Sequence, residues 1–163
     1  MIQRDYIERL IQQCAEVLQR ALSLRRTGQP DRAIALVREA RDQLVGPVRP
    51  LLERLEASSA VQVAGPGEHE RVRAYAALLG EEGLIHGQIG DSASAHLCCR
   101  RAVELYAALS LAGAPMRPAD RERIALLRGA LGRAAGLDDR YQIELDRLRS
   151  GENRMSDGRR HTR

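Results

Sequence analysis

The chain contains no Phe and no Trp and only four Tyr, so any core it builds must be aliphatic. Its apolar content comes in runs of Ala, Leu and Val. Ala and Leu are strong helix formers, whereas the aromatic and β-branched residues that fit a pleated surface are scarce. The composition therefore points to an all-α fold. With 163 residues, 44% of them apolar, the chain is long enough to bury one core and to form one domain.

All 26 basic residues are Arg. The absence of Lys excludes Schiff-base lysines, phosphate-loop lysines and Ser–Lys dyads. Net charge is +4, part of it in the last residues, where four Arg face Glu152 and Asp157. No charge-free stretch reaches the ~18 residues needed to span a bilayer, and the opening residues lack the apolar segment of a signal peptide. Cys14, Cys98 and Cys99 are an odd, unspaced set, unlike a disulfide framework. Together these features give the expectation of a cytoplasmic protein.

Periodicity places the first helix from about Asp5 to Arg26, with Asp5 as cap and Glu8 completing a capping box. Ile7, Leu10, Cys14, Val17, Ala21 and Leu24 form its seam. A turn at residues 27–30 leads to a helix capped by Asp31 and stopped by Gly46-Pro47. A short helix is expected over 47–57, then a flexible loop over 58–67. Further helices are expected from Glu68 to Gly87, from the turn at 88–91 to Leu111, and over 118–135 and 138–149. The domain is thus expected to fill 1–149, with a disordered basic tail over 150–163.

The two hairpins share a spacing. Gly28 is followed by Ala33 and Ala40, and Gly90 by Ala95 and Ala102, at the same intervals. Seven residues before each turn glycine lies another small residue, Ala21 or Gly83. Small residues there let antiparallel helices approach closely. This resembles a tetratricopeptide helix pair, although the two units are 62 residues apart rather than the usual ~34. Residues 4–11, and Leu79-Gly80-Glu81-Glu82-Gly83 leading to residues 102–106, resemble an uncharacterised family of small bacterial tetratricopeptide-like proteins. The resemblance implies about seven helices in antiparallel hairpins, forming one right-handed repeat-like domain.

Residues able to carry chemistry are few. His86, His96, Cys98 and Cys99 are the metal candidates, with His86 and Cys99 expected to face each other across the second hairpin. Adjacent cysteines diverge by about 100° on a helix, so at most two of the four donors converge, and no stoichiometric metal or other cofactor is expected. Glu81 and Glu82 likewise diverge and read as a solvated face. No nucleophile elbow or dinucleotide loop is present, so no catalytic residue is expected. Several Arg sit one helical turn from an acid, among them Asp5–Arg9, Glu16–Arg20, Arg49–Glu53, Asp120–Arg123 and Glu144–Arg147, as on an ordinary solvated surface.

In tetratricopeptide-like proteins the first helix of each pair lines a groove. By hairpin spacing, the resemblance puts Leu18, Leu22, Arg25 and Arg26 on that face in the first unit, and Gly80, Leu84 and Gln88 in the second. The chaperone-binding Lys/Asn carboxylate clamp is not present. Two expectations follow. The first is a non-enzymatic interaction protein binding a peptide or helix, with self-association open. The second is a nucleic-acid accessory protein using Arg25, Arg26, Arg159 and Arg160, disfavoured by the scarcity of stacking aromatics. Whether the helix after Pro47 covers the groove is open.

Overall fold

The computed structural model describes residues 2–133 and 135–151. Eight α-helices make up the described chain: α1 (Ile2–Arg26), α2 (Pro30–Val45), α3 (Arg49–Arg54), α4 (Ala57–Ala64), α5 (His69–Gln88), α6 (Ser92–Leu111), α7 (Pro118–Leu131) and α8 (Asp139–Arg149). Short 3-10 turns at Gly46–Val48 and Pro66–Glu68 precede α3 and α5. No strand occurs among the described residues, so the fold is all-α. None of these helices is long and apolar enough to cross a membrane. The expected disordered tail, with Arg159 and Arg160, lies outside the described residues from 152 onward.

The helix starts differ from expectation in instructive ways. α1 begins at Ile2, so Asp5 lies inside its first turn, where a negative charge still complements the helix dipole. α2 starts on Pro30, whose missing amide hydrogen costs nothing there, and Asp31 sits in its first turn. The flexible loop expected at 58–67 is instead α4. Glu56 caps it, its Oε2 accepting from the Ser58 and Ser59 amides at 3.1 and 3.2 Å. Ala57, Ala60 and Val61 are buried under it against α6. Small, polar residues hid the helix from a search for large apolar ones.

The two hairpin turns close alike. Gly28 and Gly90 take φ of +74° and +85°, a region open to glycine at no steric cost. The following amides, Gln29 N–H and Asp91 N–H, reach back to the Leu24 and His86 carbonyls at 2.8 and 2.9 Å. Asp91 then caps α6, its Oδ1 accepting from the Ser94 amide at 3.1 Å.

α5 is the axis of the molecule. It packs on α1, α2, α6 and α7, and separates two hydrophobic clusters. Ala74, Ala77, Leu78 and Ile85 join Leu10, Cys14 and Ala21 of α1 and Ala33, Ile34, Val37 and Ala40 of α2. Val72, Tyr75, Ala76 and Leu79 face the larger cluster built from α4, α6, α7 and α8. The α5–α6 crossing is close because it is lined by small residues. A Cβ on Gly80 would lie 3.5 Å from Ala102 Cβ, and one on Gly87 would lie 3.7 Å from Ala95 Cβ.

Ala40 and Ala102, singled out by the repeated spacing, are both buried, Ala102 completely. Ala102→Leu is therefore expected to overpack the crossing by about 1–3 kcal/mol, seen as a lower urea midpoint with unchanged m-value. A neutral midpoint would mean that this crossing has slack.

Candidate functional site

One face of α5 forms the floor of a groove, with α1 on one side and α7 on the other. A cleft of about 120 Å³ there is lined by Leu10, Ile11, Cys14, Ala15 and Leu18 of α1, by Ala74 and Ala77 of α5, and by Arg117, Asp120 and Arg123 of α7. It meets at Leu10 and Glu70 a second cleft of about 440 Å³, bounded by Gln3, Tyr6 and Ile7 and by residues 67–71. The α1 wall is apolar because the helix turns one stripe toward α5 and a second, Ile11 and Leu18, past it.

The opposite wall is ionic. Arg117 grips Glu70 with both terminal nitrogens, at 3.0 and 2.5 Å. Arg73, nearly buried, pairs with buried Asp120 and donates to the Pro115 carbonyl at 2.9 Å. Asp120 also accepts from the Arg117 amide at 2.9 Å, fixing the start of α7. Further along, Glu81 stands between Arg25 of α1 and Arg123 of α7, each 3.5 Å away. Arg25 Nε and Glu81 Oε1 are buried without a hydrogen bond. Those unmet groups make this the least satisfied part of the floor.

The residues that the resemblance places on this face separate into two sets. Leu18 lines the cleft, Leu22 is half-buried one turn further along the same stripe, and Arg25 reaches the floor through Glu81. Arg26 is exposed. Gln88 is exposed, its Nε2 donating to the Arg25 carbonyl at 3.4 Å. Gly80, by contrast, is a packing seat rather than open surface: a Cβ there would come within 2.8 Å of Leu127 Cδ1 on α7. Leu84 packs against the larger core.

The helix after Pro47 does not cover the groove. Val48 and Leu52 enter the core beside α4 and α6, and Arg101 of α6 donates to the Leu52 and Leu55 carbonyls at 2.6 Å. α7 is what flanks α5 on the groove side.

Glu81 and Glu82, expected on a solvated face, are 4% and 3% exposed. Asp120 and Glu144 are also buried rather than parts of a solvated surface. Asp120 pairs with Arg73, while Glu144 keeps its expected partner Arg147, whose Nε donates at 3.0 Å, and also accepts from Ser110 Oγ at 2.6 Å. The signal was present in the sequence. From Ala74 to Ile85 apolar or small residues occupy every side of α5, which marks a helix enclosed all round, so its carboxylates had to be buried and paired.

On the face of α5 away from the groove, Glu82 takes Arg38 Nε on Oε1 at 2.8 Å and Arg41 Nη1 on Oε2 at 2.7 Å. His86, one turn on, has Nε2 3.4 Å from Glu82 Oε1. The cysteine that meets His86 is Cys98, not the expected Cys99, which lies instead against Gly83.

Burial pushes the thiols of Cys14, Cys98 and Cys99 up to about 11 each. Only roughly one in a thousand is then thiolate at pH 8. Alkylation of the folded protein at that pH is expected to be slow, with Cys98, the least buried, labelled first. Equal rapid labelling of all three would contradict the packing around α5.

No family model, curated protein or solved structure matches the chain.

Proposed function

We propose that this chain is a tetratricopeptide-like interaction module whose groove along α1, α5 and α7 binds a helix or peptide of a protein partner. In this reading α1–α2, α5–α6 and α7–α8 are successive antiparallel pairs, and the first helix of each lines the groove. The observation that carries it is the groove's two-sided chemistry: an apolar wall on α1 facing an ionic wall on α7. An amphipathic helix presents the complement, apolar residues at helical spacing beside polar ones. Function here needs recognition alone, and no bond-making step is invoked.

The nucleic-acid reading draws little support from the surface. Arg25, Arg38, Arg41, Arg73, Arg117 and Arg123 are engaged by carboxylates, which reduces the charge free to displace counterions.

Leu22 tests the proposal because it lies on the groove stripe and outside both core clusters. Leu22→Asp is expected to keep the helical circular-dichroism spectrum while losing the protein captured by the wild-type chain in a pull-down. Ile143→Asp, on the exposed face of α8, is expected to keep both. Retained capture by the Leu22 variant would remove the groove from the account.

A further inference from the structure

We propose that Glu82, His86 and Cys98 form a binding site for a divalent cation of the zinc class, on the side of α5 away from the groove. The site is independent of the partner-binding reading. Glu82 and His86 lie one turn apart on the same face of α5, and the turn at Gly90 folds α6 back so that Cys98 meets them. The missing side chain of Gly83 permits the approach, since a Cβ there would stand 3.0 Å from Cys98 Cβ. One oxygen, one nitrogen and one sulfur thus gather with all ligand atoms within 4.8 Å of one another.

The spacing inside the cluster is informative. The 3.4 Å from His86 Nε2 to Glu82 Oε1 is long for a hydrogen bond. It matches the edge of a tetrahedron whose metal–ligand bonds are ~2.0–2.1 Å, an edge of about 3.4 Å. On the other side of the ring, Asp91 Oδ2 lies 3.6 Å from Nδ1, while its Oδ1 is fixed by capping α6. A carboxylate behind the imidazole is the usual companion of a metal-bound histidine: it favours hydrogen on Nδ1 and leaves the Nε2 lone pair for the ion. With hydrogen on Nδ1, Nε2 turns its lone pair toward the Glu82 carboxylate, the place a shared cation fills.

His86 is nine-tenths buried, and with Asp91 3.6 Å from Nδ1, beyond hydrogen-bond distance, the packing alone leaves that nitrogen without a hydrogen-bond partner. A thiol, an imidazole and a carboxylate together suit zinc better than magnesium or calcium, which prefer oxygen alone. Three protein donors leave a fourth position for water. Arg38 and Arg41 orient the Glu82 carboxylate, and Arg38, on the same oxygen as the ion, also competes with it. The proposal reverses the expectation drawn from spacing, which had taken Glu82 as solvated and paired His86 with Cys99.

Cobalt(II) titration of the reduced full-length protein tests it, followed by competition with zinc. A thiolate-to-cobalt charge-transfer band saturating at one ion per chain, and displaced by zinc, is the expected result. Cys98→Ser should abolish the band, whereas Cys14→Ser and Cys99→Ser should retain it. Arg38→Gln should tighten cobalt binding roughly tenfold by removing a competing charge. Absence of a band in the wild-type protein would overturn the site. A band surviving Cys98→Ser, or binding unchanged by Arg38→Gln, would overturn it equally by placing the ion elsewhere.

Discussion

Asp120→Ala is expected to destabilise the chain by about 3–5 kcal/mol, the cost of stranding a buried charge. The charge is Arg73, 6% exposed, which would be left with the Pro115 carbonyl and with Glu70 at 3.6 Å from its Nε. The same change removes the acceptor for the Arg117 amide at the start of α7. Loss of such a cap adds typically ~1 kcal/mol. Urea unfolding measures the sum. The second half of the expectation is sharper. Combining Asp120→Ala with Arg73→Met should recover a large part of the loss, because an apolar side chain of similar length does not need the carboxylate. A double variant as unstable as Asp120→Ala alone would show that the pair supplies net stability and not only mutual neutralisation.

Gly83→Val is expected to cost about 3 kcal/mol or more, although Val forms helix better than Gly. The reason is space. A Cβ on Gly83 would stand 2.6 Å from Cys99 Sγ and 3.0 Å from the Cys99 backbone nitrogen. The sulfur can rotate away, but the backbone of α6 has to move bodily. Gly83→Ala should therefore remain destabilising, and Cys99→Ala in the same chain should restore only part of the loss. Full restoration would locate the whole conflict at the sulfur and mean that the helices can separate freely.

Much of the scaffold was legible in the residues. Gly28 and Gly90, with Ala33, Ala40, Ala95 and Ala102 at matched intervals, located both hairpins because close crossings and left-handed turns admit few residue types. α4 escaped notice because its Ala and Ser residues carry little periodic hydrophobicity, and its cap, Glu56, falls inside the helix expected over 47–57. The α1 side of the cleft was reached only through the resemblance, whose hairpin spacing puts Leu18 and Arg25 on that face. The α7 side was not legible. That Arg117, Asp120 and Arg123 face α5 depends on how the third pair docks, a contact between segments some forty residues apart that no local pattern encodes. That Cys98 and not Cys99 reaches His86 has the same character: periodicity places Cys99 on the buried face of α6, and the docking of α6 on α5 decides which donor lies beside His86.

Site-specific photo-crosslinking in the native host tests the groove most directly. A photo-reactive residue is placed singly at Ile11, on the groove wall, and at Leu97 and Ile143, which are more exposed and lie away from it. Crosslinking from position 11 to one discrete polypeptide, with none from 97 or 143, is the expected result. If that polypeptide is a second copy of this chain, the groove serves self-association. Crosslinks from 97 or 143 that equal or exceed those from position 11 would contradict a partner seated between α1 and α7.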